Sequence, residues 1–177
     1  MSASTQSDSR KRNVVAVLEE MSLLLDLTGA NPFRSRAYAN GARAVQSVDE
    51  DLAALVEEGR LDEMKGIGKG IAAHVAALLE GEPFEEYEKL KASVPEGLLE
   101  MLRVPGLGAK KVRALWTEAG ITTPEALEAA AREGRLRGLA GFGPRSEEKV
   151  LEGIAQLRRY AGRFLWPEAF ATAVAFE

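Results

Sequence analysis

Three stretches of the chain set two glycines around one apolar residue and follow them with basic residues. They read MKGIGKGIAAHVAALL at 64–79, VPGLGAKKVRALW at 104–116 and LAGFGPRSEEKVLEGI at 139–154. The chemistry this spacing offers is anion binding. The first glycine of a pair can end a helix in the left-handed conformation without steric cost. The second lets the backbone come close to a ligand while the next helix begins, which leaves free N–H groups at a helix N-terminus. The residues between the glycines, Ile67, Leu107 and Phe142, can tuck between the two helices and fix their angle. Lys69, Lys110, Lys111 and Arg145 on the following turns add positive charge. A helix cap needs only one glycine, so three double-glycine copies with bases nearby argue for a helix-hairpin-helix motif with a phosphate-sized ligand.

Other chemistries are closed to this chain. It has no cysteine, which excludes disulfides, thiolate metal sites and cysteine nucleophiles. Its single histidine, His74, excludes a multi-histidine metal site. No apolar run approaches the roughly 18 residues of a membrane span, and MSASTQSDSRKRN at the N-terminus lacks the apolar core of a signal peptide. A cytoplasmic chain without a membrane partner is the expectation.

The elements that would carry these motifs are all helical. Residues 1–12 are polar and serine-rich and are expected to form a disordered tail. From Asn13, a candidate N-cap, Val14, Val17, Leu18, Met21, Leu24 and Leu25 fall on one helical face. Thr28–Gly29–Ala30 breaks that helix, and Asn31–Pro32 starts another with cap and first-turn proline. Asp49 is the expected cap of a short helix ending at Gly59, and Pro83, Pro95 and Pro124 mark three further starts. No segment shows sustained alternation, so the fold class is all-α. The glycine pairs begin at 66, 106 and 141, which makes the unit a repeat, and EEGRLDEM before the first pair matches REGRLRGLA before the third.

The net charge of −4 looks hostile to nucleic acid, but the charges are segregated. Residues 49–63 hold seven acids and one arginine, and residues 80–88 hold five acids and no base. Residues 30–48 hold Arg34, Arg36 and Arg43 without an acid, and residues 101–117 hold Arg103, Lys110, Lys111 and Arg113 without one. Blocks of one sign give faces of opposite potential, and local fields decide what binds.

In this order, NPFRSRAY at 31–38, GIGKGIA at 66–72, PEGLLEML, VPGLGAKKVRALW and GFGPRSEEKVLEGI resemble the N-terminal region of family X DNA polymerases, the DNA polymerase beta-like group. The resemblance covers about residues 13–160. It implies a small N-terminal helix-hairpin-helix domain at 13–92 and a second DNA-binding subdomain at 95–160. It also implies that each hairpin grips a DNA strand through backbone amides and a sodium or potassium ion held by backbone carbonyls. Carried over by motif, the first site is Gly66, Ile67, Gly68, Lys69 and Gly70, with cation carbonyls on Asp62, Met64 and Ile67. The second is Gly106, Leu107, Gly108, Ala109 and Lys110, with carbonyls on Leu102, Val104 and Leu107, and Lys111 beside it. The third glycine pair adds Gly141, Gly143 and Arg145. Arg34 and Tyr38 match the positions that hold a 5′-phosphate in a gap, although Tyr38 reads equally well as a core aromatic.

Two departures from the family pattern matter. The lysine that forms a Schiff base in members with 5′-deoxyribose-phosphate lyase activity is matched here by His74, and an imidazole forms no imine. His74 is open to reading as a phosphate donor, a core residue or a surface residue. Nucleotidyl transfer in the family needs magnesium ions on aspartates of a mixed sheet, and no aspartate follows Asp62. The segment after Gly162, RFLWPEAFATAVAFE, crowds Phe164, Leu165, Trp166, Phe170, Val174 and Phe176 together. Residues 161–177 are therefore expected to be a truncated helix leading to a missing catalytic domain, with a stand-alone DNA-binding protein as the other reading.

The expected function is sequence-independent binding of gapped, nicked or 5′-phosphate-bearing DNA by a monomer. It would serve a polymerase catalytic domain in cis, in DNA repair of the base-excision type. The rivals are a lyase using Lys65 or Lys69 and a protein-interaction module whose hairpins have lost DNA affinity.

Overall fold

The computed structural model describes residues 3–161, and every element among them is a helix or a turn. The helix expected to lead out of the chain at 161–177 falls, beyond Ala161, outside the described residues. The helices are α1 (Ala3–Thr28), α2 (Pro32–Gln46), α3 (Leu52–Glu57), α4 (Lys69–Glu80), α5 (Glu85–Ser93), α6 (Glu96–Met101), α7 (Ala109–Ala119), α8 (Pro124–Arg132) and α9 (Pro144–Ala161), with a 3₁₀ turn at Leu61–Glu63. No described helix is long and apolar enough to cross a membrane. The chain divides into two compact units between Val94 and Pro95.

In the first unit α1 is the spine. Val14, Leu18, Met21, Leu24 and Leu27 are essentially inaccessible to solvent and meet Tyr38, Ala42 and Val45 of α2. A polar pin crosses this interface, where the Ser22 hydroxyl donates to the Ser35 carbonyl at 2.9 Å in a buried setting. Asn31 caps α2 as the sequence suggests, its side chain accepting from the Phe33 N–H, and Pro32 occupies the first turn. Helices α2 and α4 approach closely at Gly41: a Cβ there would stand 2.6 Å from Cγ2 of Ile71. Any larger residue at 41 must displace the Ile71 side chain.

Two expectations about this unit need correction. Residues 3–12 are not a loose tail; they form the first turns of α1, so Asn13 lies inside the helix and does not cap it. The segment has tertiary partners that local sequence does not reveal. The Ser7 hydroxyl donates to Asp51 at 2.9 Å, and the Lys11 ammonium donates to the Val48 carbonyl. The cap of α3 is Asp51 and not Asp49, because the Asp51 carboxylate accepts from the Ala53 N–H.

The second unit packs α6, α7, α8 and α9 around Leu98, Met101, Leu115, Leu127, Leu136 and Ile154, all fully buried. Thr123 caps α8 through its hydroxyl, with Pro124 at the first position. Glu147 of α9 is a buried carboxylate, 4% exposed, that accepts from the Leu136 N–H at 3.2 Å and from Arg137 at 2.7 Å. It thereby ties α9 to the turn before the third glycine pair. Gly153 brings α9 hard against the second hairpin: a Cβ at 153 would lie 2.8 Å from Val104 Cγ1 and 3.2 Å from the Pro105 carbonyl.

Candidate nucleic-acid interface

The three glycine pairs build the same turn. Gly66, Gly106 and Gly141 have φ of 101°, 83° and 80°, a region that only glycine enters without strain. Behind each, the apolar residue closes a tight turn: Ile67 N–H donates to Met64, Leu107 to Val104 and Phe142 to Leu139, each at 3.0 Å. Those three side chains are buried, as the spacing suggests.

The second glycine plays a different part. Gly68 and Gly108 sit just before α4 and α7 in extended conformation, with φ, ψ of −89°, 168° and −92°, 168°. Any residue adopts those angles, so a positive φ does not explain these glycines. Nor does internal packing, since a Cβ on Gly68, Gly70, Gly108 or Gly143 would meet nothing within 4 Å. The space is open to whatever approaches from outside.

The helix ends bear this out. Helices α2, α3 and α8 begin under side-chain caps from Asn31, Asp51 and Thr123; α5 and α6 begin without one, and α4 and α7 begin without one at an open glycine. Their first N–H groups have no acceptor inside the helix and carry the positive end of its dipole. Around them Lys65, Lys69, Lys110 and Arg113 are exposed, and among the described residues none of the four makes an ion pair.

Lys111 is placed differently. Its side chain is half-buried, donates to the Gly106 carbonyl at 3.3 Å and lies 5.6 Å from the centre of the Phe142 ring. Its stem passes within 3.8 Å of where a Cβ on Gly141 would be, so it links the second hairpin to the third glycine pair. That third pair is followed by Pro144, which has no N–H to offer, although Arg145 is exposed there.

Arg34, Tyr38 and His74 converge in the first unit. The Tyr38 ring is 3% exposed and stacks on His74 at 5.8 Å between centroids, inclined by 4°. The Tyr38 hydroxyl lies 3.0 Å from His74 Nδ1 and donates to it in the tautomer protonated on Nε2. Phe84 packs on the imidazole at 4.3 Å between centroids and lies 6.5 Å from the Tyr38 ring. Burial lowers the His74 pKa, with Arg34 adding to that effect and Glu86 opposing it. Burial also raises the Tyr38 pKa, reinforced by the Glu86 charge. Arg34 donates to Glu86 at 2.7 Å, both side chains about half exposed. Its pKa is raised chiefly by that hydrogen bond.

Sequence reasoning missed Glu86 and Phe84. Both lie some fifty residues from Arg34 and on the far side of the break after α4 from His74, and no local spacing announces them. The candidate cation carbonyls fall on the loops around the hairpins. Those of Met64 and Val104 each accept one N–H, while those of Ile67 and Leu107 accept no backbone hydrogen bond among the described residues. No group of three or more His, Asp and Glu that could hold a metal ion occurs among the described residues.

Residues 9–83 match the model of a helix-hairpin-helix domain, and residues 98–156 that of a SAM-like helix-hairpin-helix tandem. DNA polymerase/3′-5′ exonuclease PolX of Bacillus subtilis (strain 168) is 34% identical to this chain over 167 residues, which is 94% of the chain and 28% of that relative. The chain carries helix-hairpin-helix domains and is similar to the N-terminal part of a family X DNA polymerase. The two matched helix-hairpin-helix segments lie one in each of the two compact units and together contain all three glycine pairs. The chain spans about a quarter of the length of the polymerase it matches.

Proposed function

We propose that this helix-hairpin-helix chain binds DNA without reading its sequence, through backbone amides at Gly68–Gly70 and Gly108–Lys110. One observation carries the reading: two uncapped helix N-termini with matching backbone angles face open space and are ringed by cations without acid partners. Amides and lysines at such sites hold phosphates and do not distinguish bases. Gly141, Gly143 and Arg145 form an auxiliary contact in this reading, weaker because Pro144 withholds a donor. A sodium or potassium ion fits the neutral carbonyls of Asp62, Met64 and Ile67, and of Leu102, Val104 and Leu107, where it would add a positive charge between protein and phosphate.

The preferred ligand is gapped or nicked DNA, with Arg34 reaching a 5′-phosphate, and the role is to present repair intermediates to a polymerase catalytic domain. The test is a fluorescence titration against gapped, nicked and intact duplexes across salt. Neutralising about four to six phosphates gives log K a slope of roughly −3 to −5 against log salt. The gap with a 5′-phosphate is expected to bind tightest. Equal affinity for all three DNAs without salt dependence removes the reading and leaves a protein-interaction module in its place.

A further inference from the structure

The three arginines of α2 divide between two faces. Successive residues turn by about 100° on an α-helix, and seven of them return to within about 20° of the starting direction. Arg36 and Arg43 therefore share one face, with Asn40 between them, and Arg34 points the opposite way. Their partners differ accordingly. Arg34 is held by Glu86, whereas neither Arg36 nor Arg43 makes an ion pair among the described residues. Both are exposed, and the segment from 30 to 48 contains no acid to neutralise them. Arg43 is oriented, not loose: it donates to the Ala39 carbonyl at 3.1 Å and to the Asn40 side-chain oxygen at 3.0 Å.

This stripe ends at the first hairpin. The Asn40 carbonyl lies 3.5 Å, and the Ala44 methyl 3.6 Å, from where a Cβ on Gly66 would stand. The hairpin itself is poor in bases: Lys65 and Lys69 flank it, while the second hairpin is followed by Lys110, Lys111 and Arg113 on one helix. Cations from α2 make up the difference.

We propose that Arg36, Asn40 and Arg43 form a phosphate track on α2, continuous with the first hairpin, that holds the DNA backbone on one side of the phosphate gripped by the amides. The track runs about 10 Å along the helix. Two exposed guanidiniums over that length, that of Arg43 oriented by its hydrogen bonds, suit successive anionic groups of a single strand, and Asn40 adds a neutral donor and acceptor between them. The track rests on the DNA-binding reading above and supplies two contacts on the face of α2 opposite Arg34.

The experiment compares salt-dependent binding of gapped DNA by the wild-type chain, by the Arg36→Gln/Arg43→Gln double variant, and by Lys89→Ala. Lys89 is an exposed base on acidic α5 that is paired to Glu85. The double variant is expected to flatten the salt slope by about two and to weaken binding roughly 50-fold at 0.1 M salt, while Lys89→Ala changes neither. Arg36→Lys/Arg43→Lys keeps the slope. Should the double variant melt early, Arg36→Ala alone is read instead, since the Arg36 side chain makes no hydrogen bond among the described residues; it is expected to flatten the slope by about one. Wild-type binding matched by both variants that lose charge overturns the track and leaves the hairpin reading intact. A wild-type chain that binds no DNA at low salt overturns both.

Discussion

The hydroxyl of Tyr38 and the Nδ1 of His74, the only histidine of the chain, lie 3.0 Å apart with their rings nearly parallel. Burial lowers the His74 pKa, so between its folded value and the unfolded value near 6.5 the unfolded chain binds more protons. Stability is then complete above about pH 7 and falls as the pH drops through 6.5 toward the folded value. A melting series from pH 8 to 5.5 is expected to show this loss. No other side chain ordinarily titrates in that window. His74→Gln is expected to flatten the profile, and an unchanged profile in that variant would assign the slope elsewhere.

Gly106 and Gly108 separate folding from binding. Gly106 has a positive φ, so Gly106→Val is expected to lower the melting temperature as well as affinity. Gly108 is extended and faces open space, so Gly108→Val leaves the fold intact and blocks only an approaching backbone. A folded Gly108→Val chain that binds gapped DNA as tightly as wild type shows that the second hairpin is no DNA site.

The neighbouring lysines diverge for the same reason. Lys110 is exposed and unpaired among the described residues, and Lys110→Ala is expected to cost affinity and about one unit of salt slope without a change in stability. Lys111 bonds to Gly106 and covers Phe142, so Lys111→Ala is expected to lower stability by about 1 kcal/mol as well. The check is thermal melting of both variants beside their binding curves.

Borohydride treatment with a 5′-deoxyribose-phosphate substrate is expected to trap no covalent adduct, because His74 forms no imine and Lys65 and Lys69 are exposed, without the desolvation a Schiff-base lysine needs. His74→Lys places an amine beside Tyr38 and Phe84 near the Arg34 charge, where burial and repulsion lower a lysine pKa. An adduct in that variant alone is the expected outcome. One in the wild type would identify Lys65 or Lys69 as the nucleophile.

The hairpins were legible in the sequence because their geometry is local: a positive φ demands glycine, and a tight turn two residues long demands an apolar plug. Asn31–Pro32 and the start at Pro124 were legible for the same reason. The pairing of Arg34 with Glu86 was not, since 52 residues separate them and only the packing of α5 brings them together. Nor was the helical run from Ala3, whose polar residues look soluble until Ser7 and Lys11 find Asp51 and Val48. Asp49 and Asp51 offer equivalent local caps; the structure pairs Asp51 with both Ala53 and Ser7. Lys111 was legible as a base, yet its turn back toward Gly106 depends on Phe142, which arrives one repeat later.

Gly153 leaves no room for even a methyl group between α9 and the loop carrying Val104 and Pro105. A loop braced that tightly has few conformations to surrender when a ligand arrives. Little ordering entropy then opposes association at the second hairpin. A bulkier residue at 153 would free the loop, and the penalty would surface as slower capture and quicker escape, with every group that touches the ligand still in place.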